Sequence, residues 1–163
     1  MTSKIRRVVT GHTKDGKATV LVDEVRTLQP FPGVNAAGTT IWIADGLPVN
    51  NDDNTDTANR EIGINVENGV VFRIVSFGPG VAPYNHRTDT IDLAVVIEGE
   101  CDMELDTGKV HFKAGDVLVQ RGTIHNWVNN GKGPCTIAFT LVSSKPVTTA
   151  DGKVLNLELP PMG

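Results

Sequence analysis

Only two cysteines occur in the chain, Cys101 and Cys135, and neither sits in a C-x-x-C spacing. That argues against a disulfide-stapled scaffold and against a thiolate metal centre, so both read as free thiols inside strands. Long apolar runs are missing as well. Nothing reaches the length of a membrane span, and the basic opening around Lys4, Arg6 and Arg7 is followed by no apolar leader segment. A cytoplasmic protein without membrane contact is the expectation. Positive charge is not concentrated anywhere: 15 Lys+Arg against 19 Asp+Glu leave a formal net charge of −4. Such a balance argues against nucleic acid or an anionic surface as the partner. Helical periodicity is absent, and so are internal repeats. The chain carries no phosphate loop, no GxGxxG fingerprint, no G-x-S-x-G elbow and no H-E-x-x-H helix. No nucleotide cofactor is therefore expected.

What is present is a succession of short β-type runs, punctuated by 17 Gly and 9 Pro. Residues 6–10 and 18–24 flank a turn and read as paired strands. A third strand covers 39–44, around Trp42. Residues 45–60 are rich in Asn and Asp and read as a long surface loop. From residue 69 the pattern tightens into strands at 70–77, 91–98, 101–105, 109–112, 116–120, 125–128 and 135–142. Asp106-Thr107-Gly108 and the stretch 129–133 supply hairpin turns. These features predict a single all-β domain over 1–163, a sandwich or barrel. Its core covers about 69–142, preceded by N-terminal strands and a polar loop (1–68) and followed by a tail (143–163). In the tail, 154–159 adds a strand or crosses to a partner chain. The runs 93–97 and 136–142 are apolar on both faces, so both faces need cover. The N-terminal strands or a second subunit would provide it, and a homodimer is expected.

Two segments carry the chemistry. One runs from Gly80 through His86, Thr88 and Asp92 to Gly99; the other from Gly115 through Gln120, Arg121, Gly122 and His125 to Asn129. Together they resemble the two motifs of the cupin superfamily, and in particular small single-domain cupins of a branch often found with secondary-metabolite (polyketide) genes. Gly80, His86 and Gly99 fit the first motif, with Thr88 at its second His and Asp92 at its Glu. Gly122, His125 and Asn129 fit the second, with Gln120 in the usual Pro position. The resemblance implies a double-stranded β-helix, the jelly-roll cupin barrel, with N-terminal strands added.

It also implies a small-molecule enzyme, an oxidoreductase or a lyase/isomerase acting on a polyketide-like or phenolic metabolite. His86, Asp92 and His125 would be the catalytic residues and would hold a divalent transition metal (Fe, Mn, Ni or Zn). Two neutral imidazoles and one carboxylate suit such an ion and leave positions open for substrate. Thr88, Trp127, Tyr84 and Arg121 would contact the substrate. A metal-free alternative has His86 or His125 as general acid or base with Asp92 orienting it, in a dehydratase, isomerase or decarboxylase. A further alternative is a non-catalytic barrel that binds a small ligand. His12 and His111 read as structural; His111 shares outward strand parity with Lys109 and Lys113.

Overall fold

Stretches of Val, Ile and Thr, cut by Gly, Pro and Asn, suit a pleated half-buried surface, and each becomes a strand. The structure, a computed structural model, describes residues 4–160. Its strands are β1 (Lys4–His12), β2 (Ala18–Thr27), β3 (Gln29–Pro30), β4 (Ala36–Asp45), β5 (Gly69–Phe77), β6 (Thr90–Glu98), β7 (Glu100–Leu105), β8 (Gly108–Lys113), β9 (Val117–Arg121), β10 (Asn126–Val128), β11 (Cys135–Ser143), β12 (Val147–Thr148) and β13 (Val154–Leu155). Among the described residues there is no helix. The main sheet runs β3-β4-β5-β11-β6-β9, and a second sheet runs β10-β7-β8. Their pairings are antiparallel, and the two sheets form the double-stranded β-helix.

Strand parity decides what enters the barrel. In β6, Thr90, Asp92, Ala94 and Val96 point inward, while Ile91, Leu93, Val95 and Ile97 point out. The inward side chains meet Val71, Val75, Cys101, Met103, Phe112, Trp127, Ile137 and Phe139 in one continuous core. Gly99 makes the turn from β6 to β7 possible. Its φ is 77°, and a Cβ there would stand 2.0 Å from the carbonyl oxygen of Pro134. Both cysteines are buried as free thiols.

The N-terminal hairpin β1–β2 lies on the outer face of the main sheet. There Leu28, Ala37, Ile74 and Ala138 form a smaller core with Ile5, Ile41 and Phe72 against it. This supplies the second cover expected for β11. It does not reach β6 and β9, whose outward Leu93 and Val119 stay 46% and 61% exposed. The polar stretch after β4 is more than a solvated loop. Thr57 accepts from Ile43 N (2.9 Å) and donates to Ile43 O (2.7 Å), and Ile62, Ile64 and Val66 pack on the main core. The tail also differs from its expectation. Only Val154–Leu155 forms a strand, paired with β12, and Glu158 bridges to Arg87 of the same barrel.

One buried cation ties hairpin, loop and sheet together. The Arg7 side chain has no exposed surface; it pairs with Glu24 at 2.7 Å and Asp56 at 2.5 Å. It also donates to Ile41 O at 2.8 Å and stacks over Trp42. Removing it leaves Asp56 without its cation beside an apolar side chain and Glu24 with Arg26 alone. Arg7→Met should lower the unfolding free energy by about 3 kcal/mol, measured by urea denaturation at neutral pH. An unchanged midpoint would show that the cluster contributes nothing net.

Candidate active site

The two imidazoles meet because their backbones do. His86 N donates to His125 O and His125 N donates to His86 O, each at 2.9 Å. This isolated antiparallel bridge sets both side chains on one face. The rings lie 4.2 Å apart between centroids. Each ring also has a fixed partner on its own segment. His86 Nδ1 is 2.8 Å from Tyr84 O, and His125 Nδ1 is 3.0 Å from Thr123 O. A carbonyl can only accept, which assigns the proton to Nδ1 and leaves each Nε2 with a free lone pair. Burial lowers the pKa of both. His125, 2% exposed, is pushed down to about 4, first by desolvation and then by His86. His86 is half-buried and shifts in the same direction by desolvation. Both rings are therefore uncharged at neutral pH.

Asp92 enters the barrel from β6 and is 5% exposed. Its Oδ1 accepts from Thr90 Oγ1 at 2.5 Å, and Thr90 Oγ1 lies 2.7 Å from Thr88 Oγ1. Desolvation raises its pKa to about 6, against the pull of Thr90 and of Arg73. Thr88 itself is 1% exposed. The structure thus joins Thr88, Thr90 and Asp92 into a buried hydroxyl–carboxyl chain. It does not join Asp92 to the imidazoles. Among the described residues, no three His, Cys, Asp or Glu side chains converge in a way that could hold a metal ion. Two imidazoles fit such an ion, but the third donor assigned to Asp92 is turned toward Thr90, so the facial triad is not completed.

The other expected residues divide. The Tyr84 ring tilts against His86 at 4.8 Å. Trp127 meets His125 edge-on at 6.2 Å, but its indole is sunk in an aromatic cluster with Phe77, Phe112 and Phe139. Arg121 is a correction. It pairs with Ile91 in the β9–β6 ladder and is exposed on the outer face, away from the site. The neighbouring Gln120, opposite Asp92, points inward instead and is 2% exposed. Arg73 was missed too. It enters from β5, on the parity of Val71 and Val75, and exerts its charge on Asp92. The one signal for it was a cation inside an otherwise apolar strand. His111 faces out as expected and contacts Asp102 at 2.8 Å. A groove of about 450 Å³ lies elsewhere, between β1, β4 and the polar loop, lined by Leu21, Trp42 and Asn54. It does not border the imidazoles.

Comparisons with known proteins agree with this architecture. A family model described as the cupin domain matches residues 73–142. A cupin-domain-containing oxidoreductase of Aspergillus ruber is 35% identical over 156 residues, 89% of this chain and 75% of that protein. Phomopsin biosynthesis cluster protein C' of Diaporthe leptostromiformis is 43% identical over 95 residues, 57% of this chain and 50% of that one. Among solved structures, the Cnp3 cupin domain of Schizosaccharomyces pombe superposes with a TM-score of 0.53, covering 85% of this chain and 88% of that chain at 11% identity. That last likeness is one of fold.

The buried groups predict opposing pH effects. His125 titrates at about 4 when folded and at 6.5 as its ordinary value. The unfolded chain therefore takes up the proton first, and stability is lost as pH falls from 6.5 to about 4. Asp92 titrates at about 6 when folded against 3.8 ordinarily. Here the folded state takes the proton first, so stability is gained as pH falls from about 6 to 3.8. Each effect is worth about 3 kcal/mol at full extent. His86 is shifted in the same direction as His125 and adds a loss on acidification to every variant, so Asp92→Asn should lose stability more steeply than the parent as pH falls through this window, and His125→Asn less steeply. Denaturant midpoints at half-unit pH steps would check this, and parallel curves for all three proteins would refute it.

Proposed function

The chain belongs to the cupin family, and from that premise we propose that it is an enzyme of secondary metabolism that moves protons on a small phenolic or polyketide-like substrate inside its barrel. The observation that carries this reading is the His86–His125 pair: two uncharged rings, held by their Nδ1 atoms, with neither Nε2 taking a proton from a group among the described residues. Relatives named as cupin-domain oxidoreductases support reading the chain as an enzyme. The step these side chains can carry by themselves is redox-neutral: a ring Nε2 takes the proton from a carbon next to a carbonyl, and the resulting enolate takes the proton back at a different atom, so product and substrate are isomers.

Burial separates the roles of the two rings. His86 is half-buried and so the more accessible of the two rings, and its Nε2 is the base. His125 is the more deeply enclosed and stays neutral, so its Nε2 receives a hydrogen bond and orients the substrate. The chain Thr88–Thr90–Asp92 offers a second proton route. When Asp92 is ionised, both hydroxyls donate toward it. When Asp92 is protonated, the chain reverses and Thr88 can donate into the barrel. A second copy of the chain covering the exposed β6–β9 face completes this reading as a homodimer.

His86→Ala and His125→Ala should each lower turnover by about 100-fold or more while leaving circular dichroism unchanged. Candidate phenols and polyketide-type ketones, followed by mass spectrometry, provide the assay. Activity should survive dialysis against a chelator for protein purified without a His-tag. Full activity in both variants would end the imidazole reading, and activity lost to the chelator and restored by one metal would replace it with a metal-dependent one. Sedimentation at micromolar concentration should give a dimer; a monomer would remove that part alone.

A further inference from the structure

The barrel interior holds hydrogen-bonding capacity that none of the described residues uses. Gln120 projects from β9 opposite Asp92 and is 2% exposed, and among the described residues neither its Oε1 nor its Nε2 has a partner. Arg73 enters from β5 on the other side of Asp92. Its Nη2 donates to Gly63 O at 3.2 Å, while its buried Nε–H has no acceptor. Such groups are rare because leaving them unmet costs stability. The fold does not demand an amide at Gln120, since the motif it resembles has Pro there. Arg87 Nε is also unmet, but it sits beside Glu158 at 3.8 Å, where the tail crosses the barrel.

We propose that Gln120 and Arg73 form the substrate-orienting end of the barrel and take an uncharged hydroxy-carbonyl group. The carbonyl oxygen accepts from Gln120 Nε2 and Arg73 Nε–H. The hydroxyl donates to Gln120 Oε1. This deepens the reading of the barrel as a small-molecule site and rests on it. The unmet atoms comprise donors and one acceptor, so a ligand with an acceptor alone would leave Oε1 bare. A carboxylate fits poorly for a different reason. The charge of Arg73 already faces Asp92, and a second anion beside Asp92 would repel it.

Four probes that share a phenyl ring test this by calorimetry or ligand-observed NMR: phenacyl alcohol (hydroxyl and carbonyl), acetophenone (carbonyl alone), phenethyl alcohol (hydroxyl alone) and mandelate (anion). The parent protein should bind phenacyl alcohol about tenfold more tightly than each of the others. Gln120→Met should erase that preference and raise Tm, because an apolar side chain of similar length removes an unmet amide. Equal binding of the first three probes, tightest binding of mandelate, or no binding of phenacyl alcohol at millimolar concentration would each overturn the proposal without any variant. A preference that survives in Gln120→Met would do the same. His125→Ala keeps this test apart from the imidazole reading. If the phenacyl alcohol preference depends on Gln120 while His86→Ala and His125→Ala keep full turnover, the receptacle stands and the imidazole reading falls.

Discussion

A pair of backbone hydrogen bonds between His86 and His125 is the constraint on which the site depends. It joins the segment entering β6 to the segment entering β10, two parts of the chain that belong to different sheets. Because the residues exchange both N–H groups, the bridge places both Cβ atoms on one face and brings the rings together. The same segments hold the rings from behind through Tyr84 O and Thr123 O. Position and tautomer are thus set by main-chain groups, while the uncharged state comes from burial, against the pull of the same carbonyls. The imidazole chemistry is a by-product of how the barrel closes. On the other side of His86, Arg87 exchanges backbone hydrogen bonds with Glu158, so the tail braces the segment that carries the first ring.

The barrel is chemically graded along its axis. At one end Trp127 stacks on Phe77 and meets Phe112 and Phe139, an apolar plug that excludes water. Toward the other end lie His125, Thr88, Thr90, Asp92 and Gln120, while Arg73 stands opposite Phe139 in the β5–β11 ladder, at the boundary of the two. The plug makes the polar end effective. Low polarizability around the rings and the carboxyl is what moves His125 down and Asp92 up, bringing both away from their ordinary behaviour. It also makes the polar end costly to fold, because each of these groups gives up water. Part of that cost is met locally, as Thr90 does for Asp92. The remainder, at Gln120 and at Arg73 Nε, is not met by the protein. Sites that violate local packing rules in this way are where function is expected to reside.

The succession of strands along the chain and the histidine pair were legible in the sequence, because turn residues and motif spacing mark both; the order of the strands within the sheets was not. Gly and Asn turns mark strand ends, and the motif spacing around His86 and His125 is itself a record of their bridge. Arg121 misled because it was judged by its place in a motif phrase. Its ladder partner Ile91 faces solvent, and parity within β9 sends Gln120 inward in its stead. Arg73 could not be reached by motif at all. It lies in the apolar stretch of β5, and its role depends on register with β11 and β6, which is a property of the assembled sheet. The expected convergence of Asp92 on the two rings failed for a local reason. Thr90 lies two residues back on the same face and captures its carboxylate first.

Thr88 and Gln120 are the positions where this chain departs most plainly from the motifs it resembles, and they share a physical sense. At the first, an imidazole is replaced by a hydroxyl, a weaker ligand for a transition-metal ion, which extends a hydrogen-bonded chain to Asp92. At the second, a ring without a donor is replaced by a carboxamide with donors and an acceptor. Each exchange removes rigidity or coordinating power and adds hydrogen-bonding capacity at the same end of the barrel. Both lie on inward positions around one buried carboxyl: Thr88 reaches Asp92 through Thr90, and Gln120 stands opposite it in the β6–β9 ladder. Arg73 adds a cation whose charge pulls the Asp92 pKa down against desolvation, and so helps a carboxylate to remain in a dry interior.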